Sequence, residues 1–326
     1  MIRLSLIIAT YNRSRRLMTT LGSVAAQSAP ASSWECVVVD NNSSDDTSEA
    51  VEAFAAGHPE ISLRLVHEPQ QGLSYARNCG IASSRGEYIA IIDDDERICE
   101  DFVAAYIDLF DSRPDAASAG GVIIAEYETG RPRWMSRLTE RPIANPMYFG
   151  DRVRLFPRGR IPGGGNMALR RQTVERYGMF DTSLGRKGAT LTGGEESDLF
   201  ERLSAAGQRC YYTPRAVMYH IIPPEKLTAE YFDRLCYNTG RSQRRRAELH
   251  GRVAWLFAGE AVKVGGHAAA MSGAPTLAVA PSDRHAIPDN ARHSVARLTT
   301  FSSGLHENKT AAASPLHHFC IVEGIT

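Results

Sequence analysis

An apolar run, Tyr88-Ile89-Ala90-Ile91-Ile92, ends in three consecutive carboxylates, Asp93-Asp94-Asp95. Three like charges at the end of a buried strand repel one another. A hard divalent cation with oxygen ligands, Mg²⁺ or Mn²⁺ bridging to phosphate, would relieve that repulsion. A solvated acidic turn is written with the same letters, so the triplet alone does not decide. A second acidic group, Glu195-Glu196-Ser197-Asp198, follows Gly193-Gly194 and opens a helical pattern over Leu199–Ala206. A helix start favours carboxylates and is expected to lower their pKa, while the two glycines admit a substrate at close range. Glu195, Glu196 and Asp198 are therefore candidates for a general base, with Asp198 reading better as a first-turn helix charge. His220 closes the strand-like Val217-Met218-Tyr219 and precedes Pro223-Pro224; such a histidine is either structural or a metal ligand. Gly164 and Gly165, with Asn166 after them, offer close backbone approach to a sugar, or form an ordinary turn.

The elements that must position these groups alternate through the first 125 residues. Strand-like runs are expected at Leu4–Ala9, Cys36–Val39, Leu63–Val66, Tyr88–Ile92 and Ala119–Ala125. Helical patterns are expected at Arg15–Gln27, Ser48–Ala56, Ser74–Ser83 and Asp101–Phe110. Continuous apolar strands separated by helices imply βαβ units, hence an α/β fold with a mostly parallel central sheet covered on both faces. In such sheets ligands sit beyond the C-terminal ends of the strands. Thr10-Tyr11-Asn12-Arg13, Asp40-Asn41-Asn42-Ser43 and the Asp triplet each follow a strand directly, so three strand ends should deliver polar residues to one rim.

Beyond residue 125 the periodicity weakens to about residue 160, which reads as an excursion over the site. Strands return near Arg209–Tyr212 and Ala216–Tyr219. The expected organisation is a donor-binding half over 1–125, an acceptor-binding half of the same domain over 126–235, a basic helical extension over 236–270 and a disordered tail over 271–326. That tail holds five of the ten histidines and no Trp or Tyr. In the extension, Arg241 to Arg246 followed by Val253-Ala254-Trp255-Leu256-Phe257 reads as a solvated helix face or a membrane-surface helix.

Composition narrows the class. Lys+Arg and Asp+Glu both number 37, so no global field argues for a nucleic-acid partner. Hydrophobic content of 43% with 23% charged residues fits a globular enzyme. The six cysteines show no CxxC and several lie in apolar runs, which suits reduced thiols in a cytoplasmic protein. No apolar run approaches the roughly 20 residues of a transmembrane helix, and the first run reads as a β-strand.

Taken together, five spaced segments from Leu4 to about Leu235 resemble glycosyltransferase family two, whose catalytic domain has the GT-A fold. Ile7-Ile8-Ala9-Thr10-Tyr11-Asn12-Arg13 is similar to that family's opening nucleotide-binding strand and turn. Val37-Val38-Val39-Asp40-Asn41-Asn42-Ser43 resembles the second strand with its base-recognising Asp, and Gly72-Leu73-Ser74-Tyr75-Ala76-Arg77-Asn78-Cys79-Gly80 the helix whose Arg-Asn faces the nucleotide. Asp93-Asp94-Asp95 is similar to the DxD element, and Gly193-Gly194-Glu195-Glu196-Ser197-Asp198 to the acidic acceptor-side motif. The resemblance implies that Asp93 and Asp94 contact the donor, that Asp95 and His220 hold Mn²⁺ or Mg²⁺, that Glu196 is the general base and that Glu195 positions the acceptor. Asp40 would accept from a pyrimidine imide, favouring a UDP- or dTDP-sugar, or else cap its own turn. Tyr11 offers a flat face to a base.

The implied reaction moves a sugar to a hydroxyl with inversion. Its acceptor would be a sugar or lipid-linked sugar of polysaccharide or glycolipid synthesis, and the enzyme would be peripheral on the inner face of the cell membrane. Three other classes fit less well. A dehydrogenase needs G-x-G-x-x-G after the first strand, a nucleotidyltransferase a Gly-rich first loop, and a processive membrane synthase transmembrane helices. The remaining alternative is a non-catalytic nucleotide-sugar binder, because Glu196 stands where the family carries Asp.

Overall fold

The structure is a computed structural model that describes residues 1–188 and 190–261. Its strands are β1 (Leu4–Thr10), β2 (Trp34–Asp40), β3 (Leu63–His67), β4 (Tyr88–Asp93), β5 (Glu96–Ile98), β6 (Ala116–Tyr127), β7 (Arg154–Leu155), β8 (Met167–Arg170) and β9 (Arg209–Ile222). Its helices are α1 (Ser14–Ala25), α2 (Thr47–Gly57), α3 (Leu73–Ser83), α4 (Phe102–Ser112), α5 (Arg137–Ala144), α6 (Arg171–Tyr177), α7 (Glu195–Ala205) and α8 (Ala229–Leu249). The strands form one sheet in the order β3-β2-β1-β4-β8-β6-β9-β5, with β7 pairing β9. From β3 to β4 the pairing is parallel; β8 then runs antiparallel to both β4 and β6, while β9 is parallel to β6. The α/β fold with helices on both faces is the one expected.

The period-2 geometry of a strand sorts the apolar run of β1 into two cores. Leu4, Leu6 and Ile8 join α1, α2 and α4 on one face, through Leu17, Leu21, Val51, Phe102 and Tyr106. Ile7 and Ala9 join α3, α6 and α7 on the other, through Ala76, Val174, Leu199, Phe200 and Leu203. A third, smaller cluster of Met135, Ile143, Ile222, Leu227, Phe232 and Leu235 docks α5 and the start of α8 beside the sheet.

Three local expectations change. The excursion after residue 125 contains α5, whose start is closed by a reciprocal Ser136–Thr139 capping box and whose interior Pro142 obscures the helical pattern. The two strands expected around residues 209–219 are one 14-residue strand, β9. Its pairing with β6 shifts register between Gly120 and Val122, which absorbs the break at Pro214. Helix α8 runs unbroken from Ala229 to Leu249, across residue 235, because Leu235 and Cys236 are both buried on it. Among the described residues Cys36, Cys79, Cys99 and Cys210 are free thiols, and Cys36 and Cys236 are buried. The expected tail over 271–326, Cys320 within it, and residues 262–270 lie outside the described residues.

Candidate active site

Strand register brings the site together. Thr10 lies opposite Asp40 in the β1–β2 pair, and Ala9 opposite Asp93 in the β1–β4 pair, so the three strand ends form one rim as expected. A cavity of about 500 Å³ opens on this rim, a size that holds a small-molecule ligand. Its wall includes Thr10, Tyr11, Arg13, Arg77, Asp93, Asp94, Asp95, Glu195, Glu196 and His220 from the residues named by sequence.

Two groups of charges face each other inside. On the β1 side, Thr10 Oγ1 donates to Asp94 Oδ2 at 2.8 Å, and Arg13 Nη1 donates to Asp94 Oδ1 at 2.9 Å and Asp95 Oδ2 at 3.2 Å. Lys226 Nζ reaches the same Asp95 Oδ2 at 2.7 Å. On the α3 side, the fully buried Arg77 gathers carboxylates from both motifs. Its Nη2 donates to Asp93 Oδ1 at 3.0 Å, and its Nη1 to Glu196 Oε1 at 2.9 Å and Glu195 Oε1 at 3.2 Å. Arg77 therefore joins the strand-end triplet to the start of α7, across 119 residues of chain.

Six carboxyls, those of Asp93 to Glu96 and of Glu195 and Glu196, thus meet three cations, and protons offset part of the excess. Burial pushes Glu96 well above its ordinary range, with Asp93 and Asp95 adding to the push. Burial, offset in part by Arg13, leaves Asp94 at about 6. Burial and the neighbouring Glu196 charge lift Glu195 to about 8. This corrects the expectation that the α7 start lowers the pKa of its whole acidic motif. A helix end contributes about 0.3–1 kcal/mol, less than the desolvation of a carboxyl only 2% exposed. Glu196 does lie below its ordinary value, because Arg77 outweighs its burial. Asp95 is also lowered, burial being overcome by the charges of Lys226 and Arg13. Asp198 sits outside the cavity, held by Arg202 at 3.0 Å and His250 at 2.9 Å.

Other residues named from the motifs are turned away from the cavity. Asp40 accepts from the Ser43 amide at 2.9 Å and the Ser48 hydroxyl at 2.6 Å, so it caps the following turn instead of lining the cavity. The Asn78 side chain bonds both backbone groups of Phe180, at 2.8 and 3.0 Å, and ties α3 to the segment before α7. Asn12, at φ 51°, accepts from the Ser44 amide at 2.7 Å and so links the turns after β1 and β2. Asn166 is buried between Tyr106 and the carbonyls of Val122 and Ala216. The glycines before it do allow close approach, but to carboxylates. A Cβ on Gly164 would lie 2.1 Å from Glu196 Oε1, and one on Gly165 1.7 Å from Glu96 Oε1. Asp40, Asn78, Gly164, Gly165 and Asn166 therefore build the walls from behind, while Asn12 is exposed on the turn outside them.

His220 has an assignable tautomer. Its Nδ1 lies 3.2 Å from the Ala144 carbonyl, which can only accept, so Nδ1 carries the proton and Nε2 presents a lone pair. Burial lowers its pKa and keeps the ring neutral. A carboxylate and a neutral imidazole are a donor pair that suits Mn²⁺ better than Mg²⁺, which favours oxygen donors throughout. No three or more His, Cys, Asp or Glu among the described residues form a complete cage, so other donors would have to come with the ligand.

Two contributors were missed from sequence. Lys226 follows His220 by six residues, and Pro223-Pro224 between them signals a fixed turn. The sequence places residues from 236 onward in a basic extension, yet Thr239, Ser242, Gln243 and Arg246 line the cavity together with Tyr231 and Leu235 of the same helix α8. These positions recur at helical spacing on one face, so α8 forms a wall of the cavity. The Ser242 hydroxyl accepts from the Gly193 amide at 2.9 Å, fastening that wall to the loop before Glu195.

Comparison with known proteins agrees with this architecture. The chain is 27% identical over 264 residues to the succinoglycan biosynthesis protein ExoM of Rhizobium meliloti, covering 79% of this chain and 80% of that one. It is 25% identical over 228 residues to the glucosyl-dolichyl phosphate glucuronosyltransferase of Haloferax volcanii, covering 67% and 69%. Among solved structures, the mannosyltransferase PcManGT of Pyrobaculum calidifontis, in complex with GDP-Man and Mn²⁺, superposes with a TM-score of 0.52 at 22% identity. That match covers 90% of this chain and 79% of that one. GalNAc-T7, solved with UDP, GalNAc and Mn²⁺, gives 0.51 at 16% identity and covers 68% of this chain but only 44% of its own. The sequence pattern of glycosyl transferase family 2 matches residues 5–178, which hold the strand ends, Arg77 and the Asp triplet. With more than half of its length matched, the chain belongs to glycosyl transferase family 2.

Proposed function

We propose that this enzyme transfers a sugar from a nucleoside-diphosphate donor to an acceptor hydroxyl with inversion, Glu196 acting as the base. The observation that carries the reading is the Arg77 guanidinium, which holds Asp93 of the donor rim and Glu196 of the acceptor motif in one cavity. The donor diphosphate lies along the rim by Arg13 and Lys226, and Tyr11 faces the base. Asp95 and His220 would hold a divalent cation, which when bound offsets charge on the departing diphosphate. Glu196 is held ionised by Arg77 and stands at the cavity wall, so it can take the proton as the acceptor hydroxyl attacks. Glu195 is a positioning residue: it keeps its proton to about pH 8 and shares Arg77 Nη1 with Glu196. One displacement opposite the leaving group inverts the anomeric centre.

Asp40 is turned into its own turn, so base preference is read by screening UDP-, dTDP- and GDP-sugars for thermal stabilisation. The acceptor is a sugar or a lipid-linked sugar, the Haloferax relative being a glucosyl-dolichyl phosphate glucuronosyltransferase. Among the described residues no helix is long and apolar enough to cross a membrane, and membrane contact is assigned to the stretch from Arg241 to Phe257. The deciding experiment is Glu196→Gln. It should bind donor normally yet transfer at least about 10²-fold more slowly, the usual share of a general base. Product from the native enzyme should carry the opposite anomeric configuration to the donor by NMR. Near-native transfer by the variant removes Glu196 from the role of base. A retained anomer overturns the mechanism, and binding without turnover would identify a non-catalytic binder.

A further inference from the structure

Lys226 has a placement that the family reading does not require. Strand β9 ends at Ile222, and Pro223-Pro224 lead into a single 3-10 turn, Pro224–Lys226, closed by backbone bonds from Lys226 to Pro223 and from Leu227 to Pro224. Leu227 is buried in the small cluster with Phe232, so the turn is anchored on both sides. Its two charged residues point opposite ways. Glu225 faces outward to Arg16 of α1 at 3.0 Å, whereas Lys226 reaches into the cavity, its side chain 12% exposed. There its ammonium contacts Asp95 Oδ2, the oxygen that Arg13 Nη1 also approaches. Asp95 is the carboxylate beside the neutral His220, so the ammonium stands against the donor that a metal ion would take.

We propose that Lys226 is a resident cation of the diphosphate site that competes with the divalent metal for Asp95. A lysine is suited to such a role, because its charge is compact and its four-carbon stem is flexible. It can leave one anion for another without moving the backbone. An ammonium and a divalent ion drawn to the same carboxylate oxygen repel each other at close range, so each binds Asp95 at the other's expense. The metal must therefore displace Lys226. The cavity beside the lysine is where the donor diphosphate lies, so the displaced ammonium moves onto phosphate oxygens. In the absence of metal, Lys226 and Arg13 supply the positive charge that the diphosphate needs. The inference rests on reading this rim as the diphosphate site.

Two titrations test it on the full chain. The first follows the free Mn²⁺ signal by electron paramagnetic resonance, without nucleotide, in the native protein and in Lys226→Met, Lys226→Gln and Lys226→Arg. The two neutral variants should bind Mn²⁺ at least about tenfold more tightly than the native protein, equal to about 1.4 kcal/mol. Lys226→Arg should stay within about threefold of native, because it keeps the competing charge. Adding Asp95→Asn to Lys226→Met should abolish the gain. The second titration measures UDP binding calorimetrically in EDTA and in Mn²⁺. Native protein should bind in EDTA, and the neutral variants should lose at least about tenfold there while binding well in Mn²⁺. Equal Mn²⁺ affinity in the native protein and a folded neutral variant overturns the proposal. If no variant binds UDP, dTDP or GDP in either condition, the donor reading fails, and the Mn²⁺ titration still decides the role of Lys226.

Discussion

Replacing Arg77 with Met keeps most of the side chain's volume but removes the charge that Asp93, Glu195 and Glu196 share. Breaking a buried ion pair by deleting one partner costs about 3–5 kcal/mol, because the remaining charge is left desolvated and unpaired. At about 2–4 °C per kcal/mol for a large domain, the melting temperature should fall by about 6–20 °C. The loss should also depend on pH in a defined direction. In the native protein Glu196 is held below its ordinary pKa, so it contributes stability above the ordinary carboxylate range and loses it as pH falls through the lowered value. Without Arg77, burial becomes the dominant influence on Glu196 and raises its pKa, the smaller backbone and Glu195 hydrogen bonds offsetting only part of it. Its charge then opposes folding at high pH, and protonation relieves that cost as pH falls. Differential scanning calorimetry of both proteins at pH 8 and pH 5 should therefore give the larger gap at pH 8. A drop below about 3 °C, or equal gaps at the two pH values, would refute the claim that Arg77 neutralises this cluster.

The coupled acidic pair should shape the rate profile. In the native enzyme kcat/KM should fall above about pH 8 as Glu195 loses its proton and competes with Glu196 for Arg77, and Glu195→Gln should remove that alkaline limb. An unchanged limb in the variant assigns it to another group. Trp255 and Phe257 are 80% and 59% exposed, and Arg241, Arg244 and Arg245 are exposed on α8 ahead of them. Together these side chains should carry the protein onto anionic vesicles in co-sedimentation at low salt and release it at high salt. No binding at low salt rules that contact out.

Much of the donor rim was legible because its strands are buried on both faces. Runs such as Leu6-Ile7-Ile8-Ala9 and Val37-Val38-Val39 have no solvated face to interrupt them, so they stand out as strands, and the polar residues after them mark the rim. The direction of individual side chains was not legible. Asp40, Asn78 and Asn166 occupy their expected motif positions, but each is bonded to a backbone turn or strand behind the cavity. Motif spacing places a residue on an element, whereas packing decides which way it faces. The strand β5 was hidden because Glu96 and Arg97 make a three-residue strand look like part of the acidic turn. Lys226 was missed for a different reason: its partner Asp95 is 131 residues away, and no local pattern encodes such a contact.

Helix α8 follows both acidic motifs in the chain and leaves the sheet through Pro223-Pro224. It is docked by the small cluster around Ile222, Leu227 and Phe232, separate from the two cores that hold the sheet together. One wall of the cavity can therefore diversify while the strand ends that carry the reactive groups stay fixed. Substitutions at Thr239, Gln243 or Arg246 alter that wall without entering either sheet core. For an evolving lineage this separates the lining of that wall from the groups carried at the strand ends. For an engineer it makes helix α8, Ala229–Leu249, the natural unit to exchange between related enzymes.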